Sequence, residues 1–219
     1  MNPREAQLRR NTDILLKYLP APAVPLIAAW IFDYDFKLKI TKERNSRYGD
    51  YTSPRDGRNH LITINHNLNP YAFLITLVHE IAHLVTYNEH RHKVNPHGIE
   101  WKMNFRKLMQ PFLSTDIFPL EVFSALRNYM QNPAASSCTD PNLLRTLKLH
   151  DADSGKVFLE YLPVGTIFLF NDSRIFVKKE KLRKRYKCTE VGTGRTYLFD
   201  ALAEVELFDD TSRSQAMRG

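Results

Sequence analysis

The segment from Asn69 to Val85 constrains this chain more than any other. Asn69-Pro70 offers a side-chain acceptor for the first free amides of a helix, then a proline at the one helical position where its missing N–H costs nothing. Behind this start Phe73, Leu74, Leu77, Val78, Ile81, Leu84 and Val85 recur at helical spacing, over about four turns. In the middle of that apolar run stands His79-Glu80-Ile81-Ala82-His83. Two histidines and a glutamate embedded among apolar residues are poorly explained as a solvated helix face.

Residues four apart on a helix lie about 40° apart around its axis and one turn along it. His79 and His83 therefore point two imidazoles at one ion. Zn2+ prefers a tetrahedron of nitrogen or sulfur donors, and a catalytic site keeps one position for water. Glu80, next to the first ligand, is placed to take that water's proton. For the third ligand the metzincin spacing needs a glycine at 86 and a histidine at 89, where this chain has Thr86 and Glu89. The remaining candidates are His90, His92, His97, Glu89 and Glu100. His97 is favoured because it precedes Gly98 and opens the next helix, which gives it a fixed backbone. Glu100, on that helix, is the runner-up, and His90 and His92 sit in a basic run that reads as a solvated loop.

His79-Glu-Ile-Ala-His83 followed by His97-Gly-Ile-Glu-Trp-Lys102 resembles the SprT-like metalloprotease family, whose best-known eukaryotic member is Spartan. Upstream, Ser46-Arg47-Tyr48-Gly49-Asp50-Tyr51 and Leu61-Ile-Thr-Ile-Asn65 resemble the strand pair before that family's metal helix. The resemblance covers roughly residues 10–130. It implies one zinc ion on His79, His83 and His97, with Glu80 as general base. It also implies cleavage of proteins, with DNA-bound or DNA-crosslinked proteins as the substrate class. Many members end in a four-cysteine zinc ribbon, whereas this chain has only Cys188 in that region. Arg183-Lys-Arg-Tyr-Lys-Cys188 and Thr196–Phe199 look like a ribbon that kept its strands and lost its metal.

Elsewhere the patterns are shorter. Residues 4–19 carry Leu8, Ile14, Leu15, Tyr18 and Leu19 at near-helical spacing, and a second short helix is expected from Pro25 to Ile31. Phe36–Thr41 alternates apolar and polar residues, as a half-buried strand does. A polar stretch, residues 43–59 with the Pro54-Arg55-Asp56-Gly57 turn, is expected to join it to an antiparallel partner at His60–Asn65. Further helices are expected over residues 98–109 and 120–130. Asn132–Asn142 has no apolar period and reads as a linker. Thr166–Phe170, Arg174–Val177 and Arg195–Phe199 read as short strands set apart by turns such as Asn171-Asp172. The expected class is thus α+β: a zincin-like helical domain with a small antiparallel sheet, followed by a small β-rich unit. Its parts are a metallopeptidase domain (1–131), a linker (132–155), a basic, degenerate zinc-ribbon-like unit (156–210) and a disordered tail (211–219).

The 219 residues carry a net charge of +7. Much of it lies in Arg174–Lys187, where eight Lys or Arg face one Glu with Phe176 and Tyr186 interleaved. Such a stretch suits phosphates and stacked bases, so Lys178, Lys179, Lys181, Arg183, Lys184, Arg185 and Lys187 are candidate nucleic-acid contacts. Tyr48 and Tyr51, around Gly49, are candidates to stabilise an oxyanion on the substrate. Two cysteines, Cys138 and Cys188, are too few for a four-cysteine zinc site, and both are expected as free thiols. The longest apolar stretch, Ala21–Phe32, is about half the ~20 residues a bilayer requires. With no apolar leader at its start, the chain is expected to be a cytoplasmic monomer with no membrane partner.

Two functions compete on this reading. One is a zinc-dependent endopeptidase with a protein or peptide substrate, acting on DNA-associated proteins and aligning an extended segment on an edge strand near Leu61–Asn65. The other is a nucleic-acid-associated binding module in which the zinc site is structural or vestigial.

Overall fold

The computed structural model describes residues 3–44, 47–55, 58–134, 140–171 and 173–208, with side chains from residue 9 onward. Ser46, the Asp56-Gly57 pair, Cys138, Asp172 and the expected tail at 211–219 lie outside these residues. The chain divides into two compact units, residues 1–151 and 152–219. The α+β class is borne out: helices surround a three-stranded sheet in the first unit, and a six-stranded sheet forms the second. Among the described residues no helix is long and apolar enough to cross a membrane.

In the first unit the chain runs α1 (Pro3–Leu15), α2 (Val24–Asp33), β1 (Phe36–Thr41), β2 (Gly49–Thr52), β3 (His60–Asn65), α3 (Pro70–His90), α4 (Ile99–Met109), α5 (Leu120–Tyr129) and α6 (Pro141–Lys148). Helix α3 starts as expected, with Asn69 Oδ1 accepting from the N–H groups of Tyr71 (3.1 Å) and Ala72 (2.9 Å). Every residue from Ala72 to Ala82 is buried, so α3 is the central helix and not a surface one. Such a helix owes its stability to packing on all sides, since propensity alone is marginal at this length.

The sheet order is β1-β3-β2. The expected antiparallel pairing of β1 with β3 is corrected: they run parallel, from Phe36 opposite His60 to Thr41 opposite Asn65. The polar stretch between them contains β2, which is antiparallel to β3 from Gly49 opposite Ile64 to Thr52 opposite Leu61. The chain therefore reverses twice before β3, and β3 becomes the central strand. Gly-Asp-Tyr-Thr has no apolar alternation by which β2 could be recognised.

The expected linker is also corrected, because residues 141–148 form α6. Asp140-Pro141 repeats the device that starts α3, with Asp140 Oδ1 accepting from the N–H groups of Asn142 and Leu143, each at 3.0 Å. Leu143 and Leu147 then enter the same core as α3. The amide of Asn69 ties the two helices by donating to Leu147 O (2.9 Å) and to Asp151 Oδ1 (2.7 Å). One residue thus caps α3 and anchors the end of α6.

The second unit is one antiparallel sheet of β4 (Lys156–Phe158), β5 (Ile167–Phe170), β6 (Arg174–Lys181), β7 (Arg185–Glu190), β8 (Thr196–Asp200) and β9 (Glu204–Leu207), in the order β4-β9-β5-β6-β7-β8. Leu159, Phe168, Phe176, Cys188 and Val205 form its core. The degenerate-ribbon expectation gives way to a six-stranded unit held by an aromatic core, with Cys188 a buried free thiol inside it. Burial pushes that thiol up to about 11, so it packs as a small apolar group.

Alternation along β6 and β7 also corrects part of the basic stretch. Phe176 is fully buried and Tyr186 nearly so, which removes both as stacking platforms for bases. Lys178, expected as a nucleic-acid contact, is 2% exposed. Its Nζ donates to the carbonyls of Leu159 (2.7 Å) and Leu162 (2.5 Å), with Glu160 O at 3.4 Å. The ammonium also lies 3.9 Å from the centre of the Tyr186 ring. Burial lowers its pKa, but the carbonyls and the ring face solvate the charge.

Candidate metal centre

Helix α3 carries His79 and His83 one turn apart on one face, and the residue ahead of Gly98 supplies His97. Their Nε2 atoms form a triangle of 3.2 Å (His79–His83), 2.9 Å (His83–His97) and 3.3 Å (His79–His97). His97 reaches this point from a left-handed backbone with φ of 60°, a conformation uncommon for a side chain larger than glycine. Trp101, fully buried in the first turn of α4, is the floor on which all three rings rest. Its ring centre is 4.6, 5.3 and 4.7 Å from those of His79, His83 and His97. Phe105, one turn further, closes the back of His79 at 5.5 Å.

This triangle could hold a metal ion. A tetrahedral ion bound at the usual zinc–nitrogen length separates its ligand nitrogens by roughly 3.3 Å, close to the distances found. Burial, and then the neighbouring imidazoles, push His79 down to about 2; the same causes push His83 to about 3, and burial lowers His97. At neutral pH the three rings are therefore uncharged. A neutral imidazole offers a lone pair on one ring nitrogen, so three such rings converging through Nε2 are a donor set for a cation. The Nδ1 of His79 has no hydrogen-bond partner among the described residues, so the ring is oriented by packing on Trp101 and Phe105.

The other candidates for third ligand lie elsewhere. Glu89 accepts a hydrogen bond from Asn104 Nδ2 at 2.7 Å. His90 lies 3.7 Å from Glu89, and His92 packs edge-on against Tyr87 at 5.3 Å. Glu100 is in the first turn of α4 and is not among the three converging groups.

Glu80 is 6% exposed and faces β2. Burial raises its pKa to about 8, helped by the charge of Asp50 and opposed by Arg44, by a hydrogen bond from the Tyr51 N–H and by Arg47. Asp50 is itself paired with Arg47. Tyr51, expected as an oxyanion donor, has its hydroxyl 2.8 Å from His60 Nδ1, and its ring stacks on His60 and leans on Tyr87. Burial, with Tyr87, raises that phenol's pKa. What Tyr51 brings to the centre is its backbone amide. Tyr48 is half-buried against the core of the first unit.

The sequence placed Gly49 in a turn and in the segment resembling the first of the family's strand pair, and Asn65 in the second, without a role for either at the centre. Gly49 has no side chain because there is no room for one: a Cβ there would lie 2.7 Å from Thr76 Cγ2 and 2.8 Å from Glu80 Oε1. The signal available was a glycine eight residues after the strand that ends at Thr41, in a stretch otherwise long and charged.

The fold and the three-histidine cluster define an α+β protein whose first unit carries a candidate metal site on one buried helix. Residues 30–122 match the model of the SprT-like family, which bears out over that segment the resemblance carried by His79–His83 and His97–Lys102. No curated protein and no protein of solved structure matches the chain. The family match is consistent with a metallopeptidase-type hydrolase.

Proposed function

We propose that the chain is a zinc-dependent endopeptidase. The observation that supports this most is the combination of three neutral imidazoles converging within 3.3 Å and one buried carboxylate on the neighbouring residue of the same helix. His79, His83 and His97 would hold the ion. All-nitrogen donors of this number suit zinc with a fourth position left for water or substrate. When bound, zinc supplies Lewis-acid polarisation of the scissile carbonyl and acidifies the attacking water. Glu80 takes the proton from that water at its carboxylate and passes it to the leaving amine. Its burial makes it more basic than an ordinary carboxylate, which favours accepting that proton.

Peptide alignment falls to β2, because the strand expected for it, β3, is central. Asn65 N–H bonds Tyr48 O at 2.9 Å, so the backbone groups of residues 48, 50 and 52 turn towards β3. Those of Gly49 and Tyr51 then turn to the open edge, next to Glu80. An extended peptide segment added there would lie alongside the carboxylate. Access by extended backbone favours unfolded or tethered protein substrates. The test is incubation of the zinc-loaded chain with a chemically unfolded protein. Fragments are expected, and their loss with a chelator and return with added zinc; intact substrate after zinc loading would remove the proposal.

A second reading, nucleic-acid binding, is favoured by the far end of the β6–β7 hairpin. Lys179, Lys181, Arg183, Lys184 and Arg185 are all exposed there, while Lys187 is paired with Glu180 at 2.7 Å. With the aromatics buried, this contact is electrostatic and not a stacking one. Binding of a labelled single-stranded oligonucleotide is expected to weaken linearly in log salt, at about 0.7 per phosphate contact. Changing Arg183, Lys184 and Arg185 together to Ala is expected to flatten that slope by roughly 2. An unchanged slope would rule out the hairpin.

A further inference from the structure

Glu80 leans on the backbone of β2, and the position of β2 is set by a buried amide on the far side of the strand. At Gly49 the strand touches the helix without a side chain, since a Cβ would come within 2.8 Å of Glu80 Oε1 and 3.0 Å of its Cγ. Two residues on, the backbone amide of Tyr51 lies near enough to the Glu80 carboxylate to lower its pKa. Both contacts depend on where residues 49–51 lie, to within a few tenths of an ångström.

Asn65 ends β3 and is 1% exposed. Its Nδ2 donates to Arg44 O (3.2 Å) and to Arg47 O (3.0 Å). Its Oδ1 accepts from Arg44 Nε (2.9 Å), and its own N–H donates to Tyr48 O (2.9 Å). Arg44 is in turn fixed along β3, with Nη1 3.0 Å from Thr63 Oγ1. A single side chain thus binds the backbone that enters β2 at residues 44 and 47, and its main chain binds residue 48. The next residue is Gly49.

We propose that Asn65 is a positioning residue for Glu80: by tying the entry to β2 it sets Gly49 and the Tyr51 amide against the carboxylate. This rests on the reading of Glu80 as general base, but the physical link can be measured without catalysis. Only an amide serves here. Aspartate would keep the acceptor for Arg44 and lose both donations to backbone, and alanine would lose all three bonds.

The experiment uses the full chain, loaded with zinc, as Asn65→Ala, Asn65→Asp and Gly49→Ala. Gly49 is not in the left-handed region, so alanine strains no backbone there and reports only the contact with Thr76 and Glu80. Three readouts are taken: zinc per chain, the exchange rate of the Tyr51 amide, and kcat and KM on an unfolded protein. Zinc is expected to stay at the wild-type level and Tyr51 exchange to accelerate at least tenfold. The kcat is expected to fall about 10–100-fold with KM within threefold, the size usual for a group that orients one reacting residue. Should Asn65→Ala fail to fold, the near-isosteric Asn65→Asp carries the same expectation. Wild-type Tyr51 exchange in soluble Asn65 variants, or zinc lost in step with kcat, would overturn the proposal. If the wild-type chain cleaves nothing, the peptidase reading fails, and the exchange measurement still decides the role of Asn65.

Discussion

Replacing Glu80 with Gln is expected to lower peptide-bond cleavage by about 10²–10⁴-fold, the usual contribution of a positioned proton-transfer group, with zinc still bound. The ligands are untouched, because Glu80 turns towards β2 while His79 and His83 turn towards His97. The local structure is also preserved, since the amide has the size and shape of the carboxyl and still offers an oxygen acceptor. Burial already holds the metal-free carboxyl up at about 8, so at pH 7 the side chain is mostly protonated and an amide resembles it. The thermal midpoint of the metal-free variant is therefore expected at or slightly above that of the wild type. Zinc per chain, that midpoint and kcat on an unfolded protein are the three measurements. Undiminished cleavage with zinc bound would assign the proton transfer to another group, and loss of zinc would place Glu80 in the ligand set.

The second large effect is expected at Lys178 and concerns folding. Lys178→Met keeps much of the aliphatic stem and removes the ammonium, leaving the carbonyl of Leu162 without its donor inside the core. Hydrogen bonds from a charged donor contribute about 1.5–3 kcal/mol each, and two short ones are lost, so a cost on the order of 3–5 kcal/mol is expected. A unit of this size has little stability to spare. The two tryptophans, Trp30 and Trp101, both lie in the first unit, so tryptophan fluorescence follows that unit alone. The calorimetric transition of the second unit is expected to fall or vanish while the fluorescence midpoint stays put. An unmoved calorimetric profile would show that the three carbonyls need no cation.

Much of the centre was legible because it is local. A cap, a proline and an apolar period place α3, and a spacing of four places two imidazoles on one face of it. His97 was recognisable from its setting before Gly98 and from the H-G-x-x-W-K element, although no period links it to His83. Helix α6 shows where local signals were present and underweighted: Asp140-Pro141 copies Asn69-Pro70, and Leu143 and Leu147 are four apart. In the basic stretch, composition misled. Counting charges over Arg174–Lys187 ignores the two-residue period of strands, which turns Phe176, Lys178 and Tyr186 into the core and leaves the hairpin tip outside.

The sequence by itself determined the central helix, the histidine pair with its glutamate, the α+β class and the division into a helical and a strand-rich part. Each rests on interactions between residues close along the chain, whose pattern survives in one dimension. Only the tertiary structure decided that β3 is central and parallel to β1, and that β2 is the open edge beside Glu80. It alone decided that Trp101 supports three rings, and that Asn65 reaches back across the strand to fix the chain entering Gly49. These are contacts between residues tens of positions apart, or backbone contacts that leave no side-chain signature. At Gly49 the determining fact is the absence of an atom, because a β-carbon would occupy the space that the Glu80 carboxylate and the Thr76 methyl already fill.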